Sequence, residues 1–223
     1  MSKPILTIYL RPAAALLMIP LFFLGCETAY YRTMEKFGYH KRDILVERVQ
    51  EARDSQEEAK DQFRSALDRF SAVLGVPGGD LTDKYESLNA EYEASEKRAE
   101  EVRDRISSVQ EVAGALFDEW EAELRQYSSA ELRKSSERKL RDTRKQYTQL
   151  MGAMKRAEAK LDPVLAAFRD QVLYLKHNLN AQAIASLKGE LRSVEADVGK
   201  LIREMEASIS EADAFIQAMA KES

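Results

Sequence analysis

One thiol (Cys26), two imidazoles (His40 and His177) and 38 carboxylates are the groups in this chain able to serve as nucleophile, metal ligand or general acid–base. Their spacing decides among these chemistries. Cys26 has no second cysteine to pair with, so an internal disulfide is impossible, and its thiol is left for covalent modification or burial. His40 sits in His40-Lys41-Arg42, where neighbouring cations oppose a metal role and a solvated basic patch is expected. His177 has no His, Cys or paired acid at ligand spacing, and it reads as a helix C-terminal residue facing free carbonyls. A di-metal bundle site wants inward Glu-x-x-His pairs, and the sequence has none. Gly75–Gly79 lacks the Lys-Ser/Thr of a phosphate loop, and neither a nucleophile elbow nor a dinucleotide fingerprint occurs. Acid pairs such as Glu57-Glu58 and Glu100-Glu101 fall on charged outer faces. The expectation is no catalytic residue, no metal site, no cofactor and no enzymatic activity.

The surroundings of Cys26 give its chemistry a context. A basic start with Lys3 and Arg11 precedes the apolar run Ala13 to Leu24, which closes on Gly25-Cys26. That run is shorter than the roughly 20 apolar residues of a bilayer span and has the layout of a secretory signal. A small residue directly before a lone cysteine resembles the lipobox of bacterial lipoproteins, with Phe23 standing where leucine is usual. The resemblance implies that residues 1–25 are a lipoprotein signal peptide, that Cys26 is diacylated and that residues 26–223 form the mature domain. An ordinary signal peptide, or an uncleaved anchor, is the competing reading.

Loss of Lys3 and Arg11, with no acid among residues 1–25, would take the formal charge from −4 to −6. An acidic chain without a basic block argues against nucleic acid as a partner, because neutralising phosphates needs clustered cations. The charges are mixed along the chain, as on solvated helix faces.

Four apolar rows repeat with spacings of four and three. The first is Leu45, Val49, Ala52, Gln56, Ala59, Phe63, Ala66, Phe70, Val73. The second is Leu81, Tyr85, Leu88, Tyr92, Ser95, Ala99, Val102, Ile106, Val109, Ala113, Leu116, Trp120. The third runs Ser136, Leu140, Thr143, Tyr147, Leu150, Met154, Ala157, Leu161, Val164, Phe168, with Val172 and Leu175 after a phase slip. The fourth is Ile184, Leu187, Leu191, Val194, Val198, Leu201, Met205, Ser208, Ala212, Phe215, Met219. A repeat averaging 3.5 residues is the seam of a coiled coil or elongated helical bundle, and strands cannot produce it. Ile202, Ile209 and Ile216 add a row beside the fourth seam, as a helix touching two neighbours would need.

Breaks divide these rows. Gly75-Val76-Pro77-Gly78-Gly79 is a turn, and Asp80 is placed to cap the second helix. Tyr127-Ser128-Ser129 is the next break, with Ser128 and Glu131 spaced as a capping box. Around His177–Asn180 two readings stand: Asn178 ends one helix and Asn180 caps the next, or one helix runs through. Asp162-Pro163 marks a kink or restart. The second helix, about 45 residues, would measure roughly 68 Å, and the first, counted from Asp43, roughly 48 Å. Extending the first back through Tyr31, Met34 and Gly38 nearly equalises them, so residues 28–42 are expected to be mostly helical. Short connections make neighbours antiparallel. The expected fold is all-α: an elongated antiparallel coiled coil or up-down-up-down four-helix bundle.

Gln56, Ser95, Thr143 and Ser208 are polar residues on these seams, read as setting register at some cost in stability. Tyr30, Tyr31, Met34 and Phe37 follow Cys26 closely. Their apolar bodies and polar tips make them candidate membrane-interface residues. The competing reading packs them against the bundle base, beside Trp120 and Tyr127.

The stretches Tyr30–Gly38, His40–Val46 and Ala52–Lys60, with Glu195–Val198 and Met205–Ile209 near the end, are similar to an uncharacterised family of exported bacterial proteins, domain of unknown function 2959. This resemblance spans the mature chain and implies an envelope compartment without supplying an activity. In lipoproteins generally Asp after the cysteine favours inner-membrane retention, and Glu27 here implies the outer membrane, facing the periplasm. The expected function is a lipid-anchored periplasmic scaffold or adaptor contacting unknown envelope proteins. The alternative is a membrane-surface-binding or envelope-shaping helical module, and seams of this kind are also compatible with self-association.

Overall fold

The computed structural model describes residues 41–75, 80–178 and 181–221. Among them the regular structure is helical: α1 (Lys41–Gly75), α2 (Leu81–Leu124), α3 (Ala130–Glu158), α4 (Leu161–His177) and α5 (Ala181–Lys221). Their 35, 44, 29, 17 and 41 residues correspond to rods of roughly 52, 66, 44, 26 and 62 Å at 1.5 Å per residue. Only Ala159 and Lys160 separate α3 from α4, so the two form one interrupted arm. The four arms are antiparallel neighbours in chain order, which is the up-down-up-down arrangement the short connections favour. The expected helicity of residues 28–40 concerns residues outside those described, whereas Lys41 and Arg42 already belong to α1.

The expected seams form the core. Phe63, Phe70, Phe168 and Phe215, one or two from each of three arms, are buried. Phe168 lies against both phenylalanines of α1, with ring centroids 4.7 Å from Phe70 and 6.2 Å from Phe63 and planes inclined by 13° and 22°. Ala66 is buried on α1 between Phe63 and Phe70, Ala59 and Ala52 are buried before Phe63, and these small residues leave the facing aromatics room. Each fully buried phenylalanine or leucine removes enough apolar area to contribute roughly 1.5–3 kcal/mol, so a few such layers outweigh all of the surface ion pairs. The periodicity errs mainly at arm ends. Leu74 is buried in place of Val73, Val112 and Phe117 join the α2 face, and Tyr85, Tyr92 and Trp120 are only half-buried. In the isoleucine row, Ile209 is buried and Ile202 and Ile216 are half-covered.

Helix ends follow local chemistry. Asp80 caps α2, its carboxylate accepting from Thr82 N–H at 2.7 Å. The capping residue of α3 is Ser129, whose hydroxyl accepts from Leu132 N–H at 3.3 Å, which corrects the expected Ser128 box by one residue. Ser129 has the extended backbone a cap needs (φ −84°, ψ 118°). The interruption expected at Asp162-Pro163 is a restart: Leu161 opens α4, so Pro163 falls in the first turn, where its missing N–H leaves no helical bond unmade. At the far end Asn178 stops α4, donating its side-chain amide to Tyr174 C=O at 2.9 Å and its N–H to Leu175 C=O at 3.2 Å. His177 is the last residue of α4, as its reading as a helix C-terminal residue requires. No helix of the described residues is long and apolar enough to cross a membrane.

Ion pairs run along each side of the bundle. Glu58–Arg98 at 2.6 Å and Glu51–Arg105 at 2.9 Å join α1 to α2, while Arg53–Asp213 at 3.0 Å and Arg64–Glu206 at 2.8 Å join α1 to α5. Arg103–Asp162 at 2.6 Å ties α2 to α4, and Arg156–Glu204 at 3.3 Å ties α3 to α5. Hydrogen bonds to Asp54 and Asp213 raise the pKa of Arg53, so it is cationic at any working pH. Such exposed pairs contribute little stability. Their value lies in fixing which residues share a level.

Two outcomes follow from this packing. Ser129→Ala should destabilise the protein by about 1 kcal/mol in urea titration, whereas Ser128→Ala should leave the midpoint unchanged. Burial raises the pKa of the Tyr147 phenol, which meets Phe117 edge-on at 5.4 Å. The folded state therefore holds that proton more tightly than the unfolded chain. Its stability should be intact below the ordinary phenol pKa of 10.0 and fall as pH rises above it, and Tyr147→Phe should reduce that alkaline loss in thermal melts.

Candidate functional site

Cys26, Tyr30, Tyr31, Met34, Phe37 and His40 lie outside the described residues. Of their expected neighbours, Trp120 donates its indole N–H to Ser136 Oγ at 2.7 Å, joining α2 to α3, and the Tyr127 side chain is exposed. Among the described residues no group of three or more His, Cys, Asp or Glu side chains is arranged to hold a metal ion.

The polar seam residues are where the interior departs from simple packing. Gln56, Ser95, Thr143 and Ser208 are all buried, none more than 1% exposed. Ser95 is satisfied within its own helix, donating to Glu91 C=O at 2.8 Å. The others are not: both amide atoms of Gln56 and the hydroxyls of Thr143 and Ser208 lack a hydrogen-bond partner. The ion pairs locate them. Glu58–Arg98 and Glu51–Arg105 lie on either side of Gln56, setting it level with Ala99 and Val102 of α2. Arg53–Asp213 and Arg64–Glu206 likewise set it level with Ala212 of α5, with Ser208 about one helical turn away. Gln56 thus lies at the level of the small seam residues Ala99 and Ala212, which leave room for the amide. An unpaired buried polar group costs roughly 1–3 kcal/mol, so this layer destabilises the present packing and disfavours shifted registers in which the amide would meet bulkier side chains.

A second polar position went unrecognised in the sequence. Gln171, 4% exposed, is buried on α4 with both amide atoms unpartnered. The spacing of three and four from Leu161, Val164 and Phe168 reaches Gln171 and then Leu175 without any slip, so the signal was present. It was obscured by Val172, which is also buried. Gln171 lines a groove of about 500 Å³ between α4 and α5, close to the connection after Asn178. Asp170 and Tyr174 of α4 and Glu190 and Ser193 of α5 share its lining with apolar Leu187 and Val194. Pairing of two helices over a small apolar strip, with carboxylates and hydroxyls around it, makes this the candidate binding site of the described residues.

Replacing Gln56 by leucine should raise unfolding free energy by roughly 1–3 kcal/mol, since an unpaired amide gives way to a side chain of similar volume. A lower urea midpoint would show instead that Gln56 makes a net favourable contribution.

None of the curated proteins compared with this chain matches it. The family model described as protein of unknown function (DUF2959) matches residues 30–219, from the tyrosine pair after Cys26 to Met219 near the end of α5. That match covers most of the sequence, and the chain belongs to this family.

Proposed function

We propose that the protein is a lipid-anchored helical scaffold or adaptor of the bacterial envelope, working through protein contacts rather than catalysis. The observation that carries this reading is the apolar run Ala13–Leu24 ending in Gly25-Cys26, the only cysteine of the chain. Diacylation of Cys26 and removal of residues 1–25 would tether one end of the mature chain to a membrane, and Glu27 favours the outer membrane, facing the periplasm. Supporting it is the construction of the bundle. Arms of up to 44 residues present solvated, mixed-charge faces over roughly 66 Å, a geometry suited to bridging components held apart.

The reading is tested by feeding cells an alkyne fatty acid and crosslinking them before mild detergent extraction. Label should appear on the mature chain beginning at Cys26 and vanish in Cys26→Ser, and a reproducible envelope protein should co-purify only with the anchored form. Unlabelled Cys26 would overturn the anchor; crosslinks confined to copies of the chain would overturn the adaptor role in favour of self-assembly.

A further inference from the structure

We propose that the outer face of α3, from Lys134 to Lys145, is a docking surface for an anionic phospholipid bilayer. This goes beyond the anchored-scaffold reading and does not rest on it.

The argument starts from how α3 places its cations. Lys134, Arg138, Arg141 and Lys145 follow one another at spacings of four, three and four. They are offset by two residues, about 200° around the helix, from the seam Ser136, Leu140, Thr143 and Tyr147. The row therefore points away from the core, and all four side chains are exposed. Its length is roughly 17 Å at 1.5 Å per residue. Neighbours within it are like charges at i,i+3 and i,i+4, which destabilise the helix that carries them. Elsewhere in the bundle these spacings hold opposite charges, as in Arg48–Glu51 at 2.7 Å, Arg98–Glu101 at 2.7 Å and Lys155–Glu158 at 2.8 Å. The ion pairs of α3 use Arg133, Arg144, Lys155 and Arg156 instead. Among the described residues, neither the four cations of the row nor Asp142, the carboxylate beside them, makes an ion pair. The acidic balance of the whole chain conceals this row, because exposed carboxylates gather on α2 at Glu100, Asp104, Glu111 and Asp118.

The surroundings favour a bilayer over other polyanions. Tyr127 and Leu132, 41% and 61% exposed, stand just before the row. A phenol with an apolar body and an exposed leucine suit the interfacial region of a membrane, whereas a nucleic-acid backbone would use the cations alone. Lys41, the first residue of α1, pairs with Glu119 near the end of α2 at 2.8 Å. The chain thus enters the bundle at the end where α3 begins. A straight row of cations matches a plane of lipid phosphates, and each Lys or Arg held near an anionic membrane surface strengthens binding about fivefold.

The test transfers the full-length protein from mild detergent onto phosphatidylcholine vesicles with and without phosphatidylglycerol. Lysines are then acetylated with an N-hydroxysuccinimide ester and read by mass spectrometry. Lys134 and Lys145 should react severalfold more slowly where phosphatidylglycerol is present, and high salt should remove the difference. Lys97 on α2, whose side chain is 78% exposed, should react equally on both compositions. Arg138→Gln combined with Arg141→Gln should weaken docking about 25-fold and return both rates toward their values on phosphatidylcholine. These two side chains are exposed and unpaired, and circular dichroism verifies that the double variant is folded. An N-terminal anchor would hold the protein on either composition, so its failure would leave the comparison between compositions intact. Equal rates at Lys134 and Lys145 on the two compositions overturn the proposal. So does equal slowing at Lys97, which would mark general coverage of the surface, or slowing that persists in the double variant. Protection by short duplex DNA without protection by phosphatidylglycerol would assign the row to a nucleic acid and overturn it equally.

Discussion

Every feature of this bundle depends on hiding four long apolar stripes from water within a chain whose charged residues make up 32% of the total. A stripe repeating every 3.5 residues lies along one side of a helix, so no single arm can bury it alone. Four antiparallel arms can, because each presents its stripe to the shared axis and its charges outward. The Phe63–Phe168–Phe70 stack shows what this demands in detail: two rings from α1 flank one from α4, and alanines along α1 make the space. The constraint also accounts for length. With few residues per layer, stability must accumulate along the rods, and the arms extend to as many as 44 residues.

That same constraint makes the polar interior notable. Buried unpaired groups in Gln56, Thr143, Gln171 and Ser208 work against the packing that surrounds them. Gln56 lies level with the small side chains of Ala99 and Ala212, where an amide is tolerated and a slipped neighbour would collide with it. Gln171 differs in place, since the residue borders the groove between α4 and α5 while both of its amide atoms stay buried. Surface ion pairs contribute by choosing neighbours, since Glu58–Arg98 and Arg64–Glu206 hold particular levels of the arms together.

Much of this fold was legible in residue order. Asp80 was identifiable as a cap because a carboxylate follows a glycine-rich turn and precedes an apolar row, and its bond to Thr82 bears that out. Errors of one residue arose where two candidates compete locally. Ser128 and Ser129 both offer hydroxyls, and only the backbone path into α3 selects the second. Val73 and Leu74 are both apolar, and the arm's closing geometry buries the leucine. Val172 masks Gln171 in the sequence because the two are adjacent, both are buried, and only the valine is apolar.

The sequence by itself determined the helices, their approximate ends, the antiparallel order and the polar seam residues, because each is encoded in spacing of three and four and in capping chemistry close by. It also contains the segment around Cys26 on which the proposed anchored role rests. Only tertiary structure decided which residues share a layer, that Phe168 lies against both Phe63 and Phe70, that Trp120 meets Ser136 and that Gln171 faces a groove with Asp170 and Glu190. The physical reason is that helical periodicity specifies a face but not an axial offset. The offset emerges from packing between residues distant in sequence, and a binding groove is a property of two faces at one particular offset.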